Sequence, residues 1–238
     1  MPKEGKNLYS AKLLINDIPV TVKSKRIKNM YLRVRAPSGD VEVSAPKQCS
    51  LNEIESWLFE RHDWLIKQRE RIAMQPVQPE LQFVSGEEHK FWGKVYTLDI
   101  ALKKRGASVS LNDNKLQLVS LPHYDAVQRK QVLDRWYREQ ITREVEALLG
   151  IWQPRMGVYS SGFGIRAMKT RWGTCNIRSK KIWLNLELVK KPVECLEYVV
   201  VHELTHLFER YHNARFYALM DEFLPDWRER KKLTNQFI

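Results

Sequence analysis

One stretch constrains this chain more than any other: Val199-Val200-Val201-His202-Glu203-Leu204-Thr205-His206-Leu207-Phe208-Glu209-Arg210-Tyr211-His212. Read as a helix it advances ~100° per residue, so His202 and His206 stand on one face with their imidazoles able to converge on a single ion. Glu203 sits one step round, beside such an ion and not on it. That position suits a carboxylate that takes a proton from metal-activated water and returns it to a leaving group. Two imidazoles, a third ligand and an open water position make the tetrahedral site that zinc favours. The pattern H-E-x-x-H turns up in roughly one shuffled chain of this length in a hundred, so its surroundings must carry part of the argument. Leu196, Val199, Val200 and Leu207 make the rest of the helix apolar, which would hold the histidines in a wall of the core.

His212 is the natural third ligand, yet six residues past His206 is ~600° of helical rotation, about a third of a turn off the ligand face. The helix must therefore end near Glu209 to Tyr211 and the chain swing back. The same spacing in metzincins makes that turn on a glycine; here Glu209 stands at that place. Asn213 is placed to cap a second helix from Ala214, which should stop before Pro225. Glu222 on that helix is the acidic alternative for the third ligand.

The chain has 238 residues, enough for one large domain or two small ones, and its 43% hydrophobic content is ordinary for a globular protein. No apolar run approaches the ~20 residues needed to cross a bilayer, and the polar start gives no signal peptide, so a cytoplasmic protein with no membrane association is expected. Cys49, Cys175 and Cys195 are few, odd in number and widely spaced, which fits a reducing compartment. The net charge of +12 is uneven locally: residues 155 to 191 hold nine Lys or Arg and one acid, Glu187. If that segment lines the metal site, its field favours an anionic substrate. Oligomeric state leaves no mark on the sequence.

Along the chain, residues 11–15 and 18–22 read as a hairpin around Asn16-Asp17, and Met30 to Arg35 pairs with Val41 to Val43 across Pro37-Ser38-Gly39-Asp40. Lys23, Lys25, Arg26, Lys28, Arg33 and Arg35 make these strands basic, a possible nucleic-acid surface or simply the wet side of a sheet. Ser50 and Glu53 form a capping box for one amphipathic helix from 51 to about 73. Segments 90–92, 95–100, 109–111 and 116–119 read as short strands. From Val132 to Trp152 a 3.6 period marks a long helix stopped near Gly150 to Pro154. Strands at 165–168 and 182–185 flank Lys169 to Cys175, Pro192 opens the metal helix, and Trp227 to Leu233 form a last short helix. No repeat is visible. The expected fold class is α+β: a mostly β N-terminal region over 1–120 with one inserted helix, then a small α+β metallohydrolase domain over 121–238.

The residues Lys169-x-Arg171-Trp172-Gly173-x-Cys175, the helix from Tyr198 through His202, Glu203 and His206, and His212-x-x-x-Phe216 followed by Leu224-Pro225-Asp226-Trp227-Arg228 together resemble the YgjP-like family of metal-dependent hydrolases, related to SprT-like zincins. The capping-box helix, Gly86 and Phe91-x-Gly93-x-x-Tyr96-x-Leu98 extend the resemblance over nearly the whole chain. The resemblance implies a zincin-like catalytic domain with zinc at His202, His206 and His212 and with Glu203 as general base.

Two chemistries go with the resemblance, metallopeptidase and UTP pyrophosphatase. As a peptidase, Glu203 would activate water for attack on a peptide carbonyl, a strand at 182–185 would hold the substrate backbone, and Arg171, Tyr211 or Tyr217 would stabilise the oxyanion. As a pyrophosphatase, Lys169, Arg171 and Arg178 would bind the phosphates of a nucleoside triphosphate, but carboxylates for magnesium and a glycine-rich phosphate cradle are lacking. A nucleic-acid-binding module with a vestigial metal site is the third reading, carried by the basic strands. Peptide chemistry accounts for more of these residues. Trp172 and Cys175 read as packing beside the site.

Overall fold

In the computed structural model, which describes residues 10–74 and 81–236, the chain divides into two compact units, Met1–Glu80 and Leu81–Ile238. Each owns a separate apolar core.

The first unit is a four-stranded sheet, β1 (Ser10–Ile15), β2 (Ile18–Lys25), β3 (Tyr31–Arg35) and β4 (Asp40–Pro46), in the order β1-β2-β4-β3. Asn16 and Asp17 both take positive φ in the two-residue turn that joins β1 to β2, matching the expected hairpin. The helix expected over 51–73 is broken into α1 (Leu51–Phe59) and α2 (His62–Ala73). Arg61 makes the break tolerable, since its guanidinium lies over the Trp57 ring and donates to the Trp57 carbonyl at 3.1 Å, replacing a lost backbone bond. Ile54, Leu58 and Leu65 then cover the inward face of the sheet, where Ile15, Val20, Val22 and Val43 alternate with outward polar residues.

The basic strands are less bare than the sequence implies. Glu42, 6% exposed on β4, accepts from Lys23 at 2.6 Å and Arg35 at 2.7 Å, and Lys25 donates to Ser44. Hydrogen bonds from Lys23 and Arg35 pull the Glu42 carboxyl down to about 2. Within the stripe read as a possible nucleic-acid surface or the wet side of a sheet, Lys23 and Arg35 are thus paired with one acid on the strand between theirs.

The second unit opens with β5 (Glu88–Phe91), β6 (Lys94–Leu102), β7 (Ser108–Asn112) and β8 (Lys115–Ser120), in the order β5-β6-β8-β7. The strand order and the antiparallel, parallel, antiparallel pairing repeat those of β1 to β4, a recurrence invisible in the sequence because the two sets share topology and not side chains. The sequence reading sets a boundary after residue 120, whereas the compact units divide at Glu80/Leu81. Leu98, Leu116 and Leu118 join the same core as the helices that follow. The β5–β6 turn also docks on the start of the metal helix: Trp92 N–H donates to Val189 O at 2.8 Å, and a Cβ at Gly93 would lie 2.8 Å from Pro192 Cγ.

Next comes α3 (Ala126–Met156), opened by a capping box between Asp125 and Gln128. It runs past the expected stop at Gly150 to Pro154 and ends where Gly157 takes the left-handed conformation. A three-stranded sheet follows, β9 (Gly162–Arg166), β10 (Gly173–Asn176) and β11 (Lys181–Asn185), with β11 in the centre, parallel to β9 and antiparallel to β10. The expected strand at 165–168 lies earlier, and β10 falls inside the segment read as a connection. Three helices close the chain: α4 (Val193–Thr205), α5 (Ala214–Phe223) and α6 (Trp227–Asn235). α4 packs against α3, α5, α6 and β10 and is buried almost all round, which overrides the weak helix propensity of Val199-Val200-Val201.

Candidate metal centre

α4 carries His202 and stops at Thr205, earlier than the sequence suggests, with His206 as its C-cap one turn on from His202. The Thr205 hydroxyl donates to Val201 O at 2.8 Å, and the amides of Leu207, Phe208 and Glu209 fold back onto Leu204 and Thr205 carbonyls. No residue from 206 to 213 takes positive φ, so the return needs no glycine and Glu209 fits where metzincins place one. The Glu209 side chain accepts from Tyr211 N–H at 3.1 Å, and Asn213 caps α5 by accepting from Phe216 N–H at 3.0 Å. This turn swings His212 back over the end of α4.

The three imidazoles meet. His202 Nε2 lies 3.0 Å from His212 Nε2, and one ring nitrogen from each of His202, His206 and His212 falls within 4.8 Å of the others. Two ligands ~2.0–2.1 Å from a tetrahedral zinc would stand roughly 3.3 Å apart, so the spacing fits one ion. His206 Nδ1 faces Glu209 O at 3.1 Å, which places the ring proton there and leaves Nε2 as the lone-pair donor. Burial, then the neighbouring His206 and His212, pushes His202 down to about 3, so its ring is neutral and ready to ligate. Glu222 is exposed on α5 and outside this group.

Phe216 is the floor of the cluster. It is 1% exposed, and the rings of His202, His206 and His212 lie 4.9, 4.8 and 4.7 Å from its own. Tyr217 stacks between His212 and Trp227, and Tyr198 stacks on the same indole while meeting His202 edge-on.

Glu203 points into the protein beside the cluster. It is 4% exposed, its Oε2 has no hydrogen-bond partner, and burial pushes its carboxyl up to about 8 against the pull of Arg171. A buried carboxylate oxygen without a protein partner, next to three convergent imidazoles, fits a site for a cation and its water. β10 approaches Glu203 at Gly173, where a Cβ would stand 2.5 Å from Oε1. Asn185 fixes the loop before β10: its Nδ2 donates to Met168 O at 2.8 Å and Arg171 O at 2.9 Å, and its backbone N–H donates to Trp172 O.

An open cleft of about 540 Å³ runs over these groups, walled by Arg171, Trp172 and the β10 residues on one side and by Tyr198, Arg210 and the three histidines on the other. Of the substrate-binding candidates, Arg171 lines the cleft, whereas Lys169, Tyr211, Tyr217 and Arg178 do not. Lys169 and Arg178 are exposed on the surface, Tyr211 is 64% exposed, and Tyr217 is occupied by its aromatic stack. The strand at 182–185 cannot take a substrate backbone, because β11 is paired on both sides; of the two edge strands, β9 and β10, it is β10 that lines the cleft. Cys175 lines the cleft with its thiol pushed up to about 11, by burial first and the Glu203 charge second, and lies outside the histidine group. Tyr198, Phe216 and Asn185 are the residues whose roles the sequence reading missed. Tyr198 stands four before His202, the one helical spacing that signals it.

Two metallopeptidase zymogens of solved structure are similar in part. Abylysin from Pyrococcus abyssi is 22% identical, with a TM-score of 0.36 over 39% of this chain and 94% of its own. Jannalysin from Methanocaldococcus jannaschii is 20% identical, with a TM-score of 0.35 over 40% of this chain and 97% of its own. No curated protein matches. The family model described as YgjP-like, metallopeptidase domain, matches residues 28–237, and the chain therefore belongs to the YgjP-like family of metallopeptidase domains.

Proposed function

We propose that the protein is a zinc-dependent peptidase whose activity resides in the unit from Leu81 onward. The observation that carries this reading is the set of three imidazoles standing on Phe216 with ligand atoms within 4.8 Å, beside the buried, unpartnered Glu203 carboxylate. His202, His206 and His212 would hold the metal, which when bound supplies Lewis acidity, a water of pKa near ~7 and a charge that favours ionised Glu203.

Glu203 acts as the proton carrier, receiving a proton from the attacking water at its carboxylate and delivering it to the departing amine. Gly173 lets β10 come close enough to fix that carboxylate. The free edge of β10 offers Gly173, Thr174 and Cys175 backbone groups to an extended peptide laid along the cleft, the edge strand taking the part expected of β11. Tyr198, kept protonated because burial raises its phenol well above the ordinary value, is the cleft-lining donor for a developing oxyanion. No helix among the described residues is long and apolar enough to cross a membrane.

The test is to incubate zinc-loaded protein and Glu203→Gln with a mixed peptide library and, separately, with nucleoside triphosphates. Peptide cleavage by the parent, lost in the variant, is the expected result. Turnover of nucleotides alone would replace this reading with the pyrophosphatase one.

A further inference from the structure

Two guanidinium groups reach the same cleft from different elements. Arg171 comes from the loop that Asn185 pins before β10, and Arg210 from the turn that returns His212 to α4. Both are exposed, and neither forms an ion pair among the described residues. The only acid among the lining residues is Glu203, which is buried and directed at the reaction centre. Guanidinium–carboxylate pairs occur elsewhere in the fold, Arg35 with Glu42, Arg228 with Asp221, and Arg230 with Glu197 and Asp226. The segment 155 to 191, which includes Arg171, holds nine bases and one acid.

We propose that Arg171 and Arg210 are specificity-determining residues that select acidic peptide segments, each guanidinium taking a substrate Asp or Glu carboxylate flanking the bond to be cut. This rests on the peptidase reading. Guanidinium forks match carboxylates bidentately, and a cleft of one sign concentrates an oppositely charged ligand. The apolar walls Trp172, Ile177 and Val199 and the free edge of β10 suit a peptide better than a bare polyphosphate.

The experiment measures binding, so that it survives failure of the catalytic reading. Zinc-loaded Glu203→Gln is titrated with fluorescent decapeptides of equal length carrying four Glu, four Gln or four Lys, and with ATP as competitor, at two salt concentrations. The acidic peptide should bind at least tenfold more tightly than the Gln peptide, weaken with salt, and lose that preference in Arg210→Glu, which should gain affinity for the Lys peptide. Arg171→Lys tests the fork without removing charge and should lose part of the preference. Equal or absent binding of the three peptides, displacement by stoichiometric ATP, or a preference unmoved by Arg210→Glu overturns the proposal. Cleavage assays on the parent enzyme report on the catalytic reading separately.

Discussion

Gly173 and Glu203 are in such close approach that the smallest side chain on one would occupy the place of the other: an added Cβ lies 2.5 Å from Oε1 and 2.8 Å from Cγ of the carboxylate. The glycine is needed here for its missing Cβ and not for backbone freedom, since its φ is not positive. Gly173→Ala should push the carboxylate off its position while the three histidines stay put. The expectation is a fall in kcat on the order of a hundredfold with zinc content unchanged. Peptide hydrolysis together with metal analysis checks it; near-parent kcat would show that β10 does not set the carboxylate.

Phe216 supports three imidazoles from below and is itself fully buried. Phe216→Ala should cost about 3–5 kcal/mol of stability and, by freeing the rings, weaken zinc retention. Phe216→Leu should keep most of the stability and lose a smaller part of the metal affinity. Urea unfolding and competition with a zinc chelator separate the two effects, and equal zinc affinity in all three proteins would remove the role assigned to the ring.

Glu42 gives the first unit an acid-sensitive element. Its folded value of about 2 is below the ordinary 4.5, so its contribution is fully present above pH 4.5 and is lost as pH falls through about 2. Lys23 and Arg35 are 44% and 55% exposed at the side chain, so solvent screening reduces the effect to roughly 1–2 kcal/mol. Glu42→Gln should be less stable at neutral pH and should show a shallower loss between pH 4.5 and 2. Parallel acid titrations of both proteins, followed by circular dichroism, would reveal identical slopes if the ion pairs contribute nothing.

Much of the site could be read directly from residue spacing. The four-residue interval between His202 and His206 fixes a shared helical face, Asn213 signals the cap that starts α5, and the need for a bend before His212 follows from helical rotation alone. The strands of both four-stranded sheets were equally legible, because alternation and turn residues are local signals. Helix ends were not: α3 passes Gly150 and Pro154, and α1 and α2 divide at Arg61, since packing and side-chain hydrogen bonds outweigh local breakers.

The sequence by itself determined the identity and order of the candidate metal-binding groups, since two histidines and a glutamate at fixed helical intervals admit few arrangements. Only the tertiary structure decided which residues surround them. Phe216 under His202, Gly173 against Glu203 and the Asn185 side chain on the loop at 168–172 are contacts between residues fourteen or more positions apart in the chain, and distance along a sequence carries no record of distance in space. The same reason separates Arg171, which reaches the cleft, from Lys169, two residues earlier and on the surface.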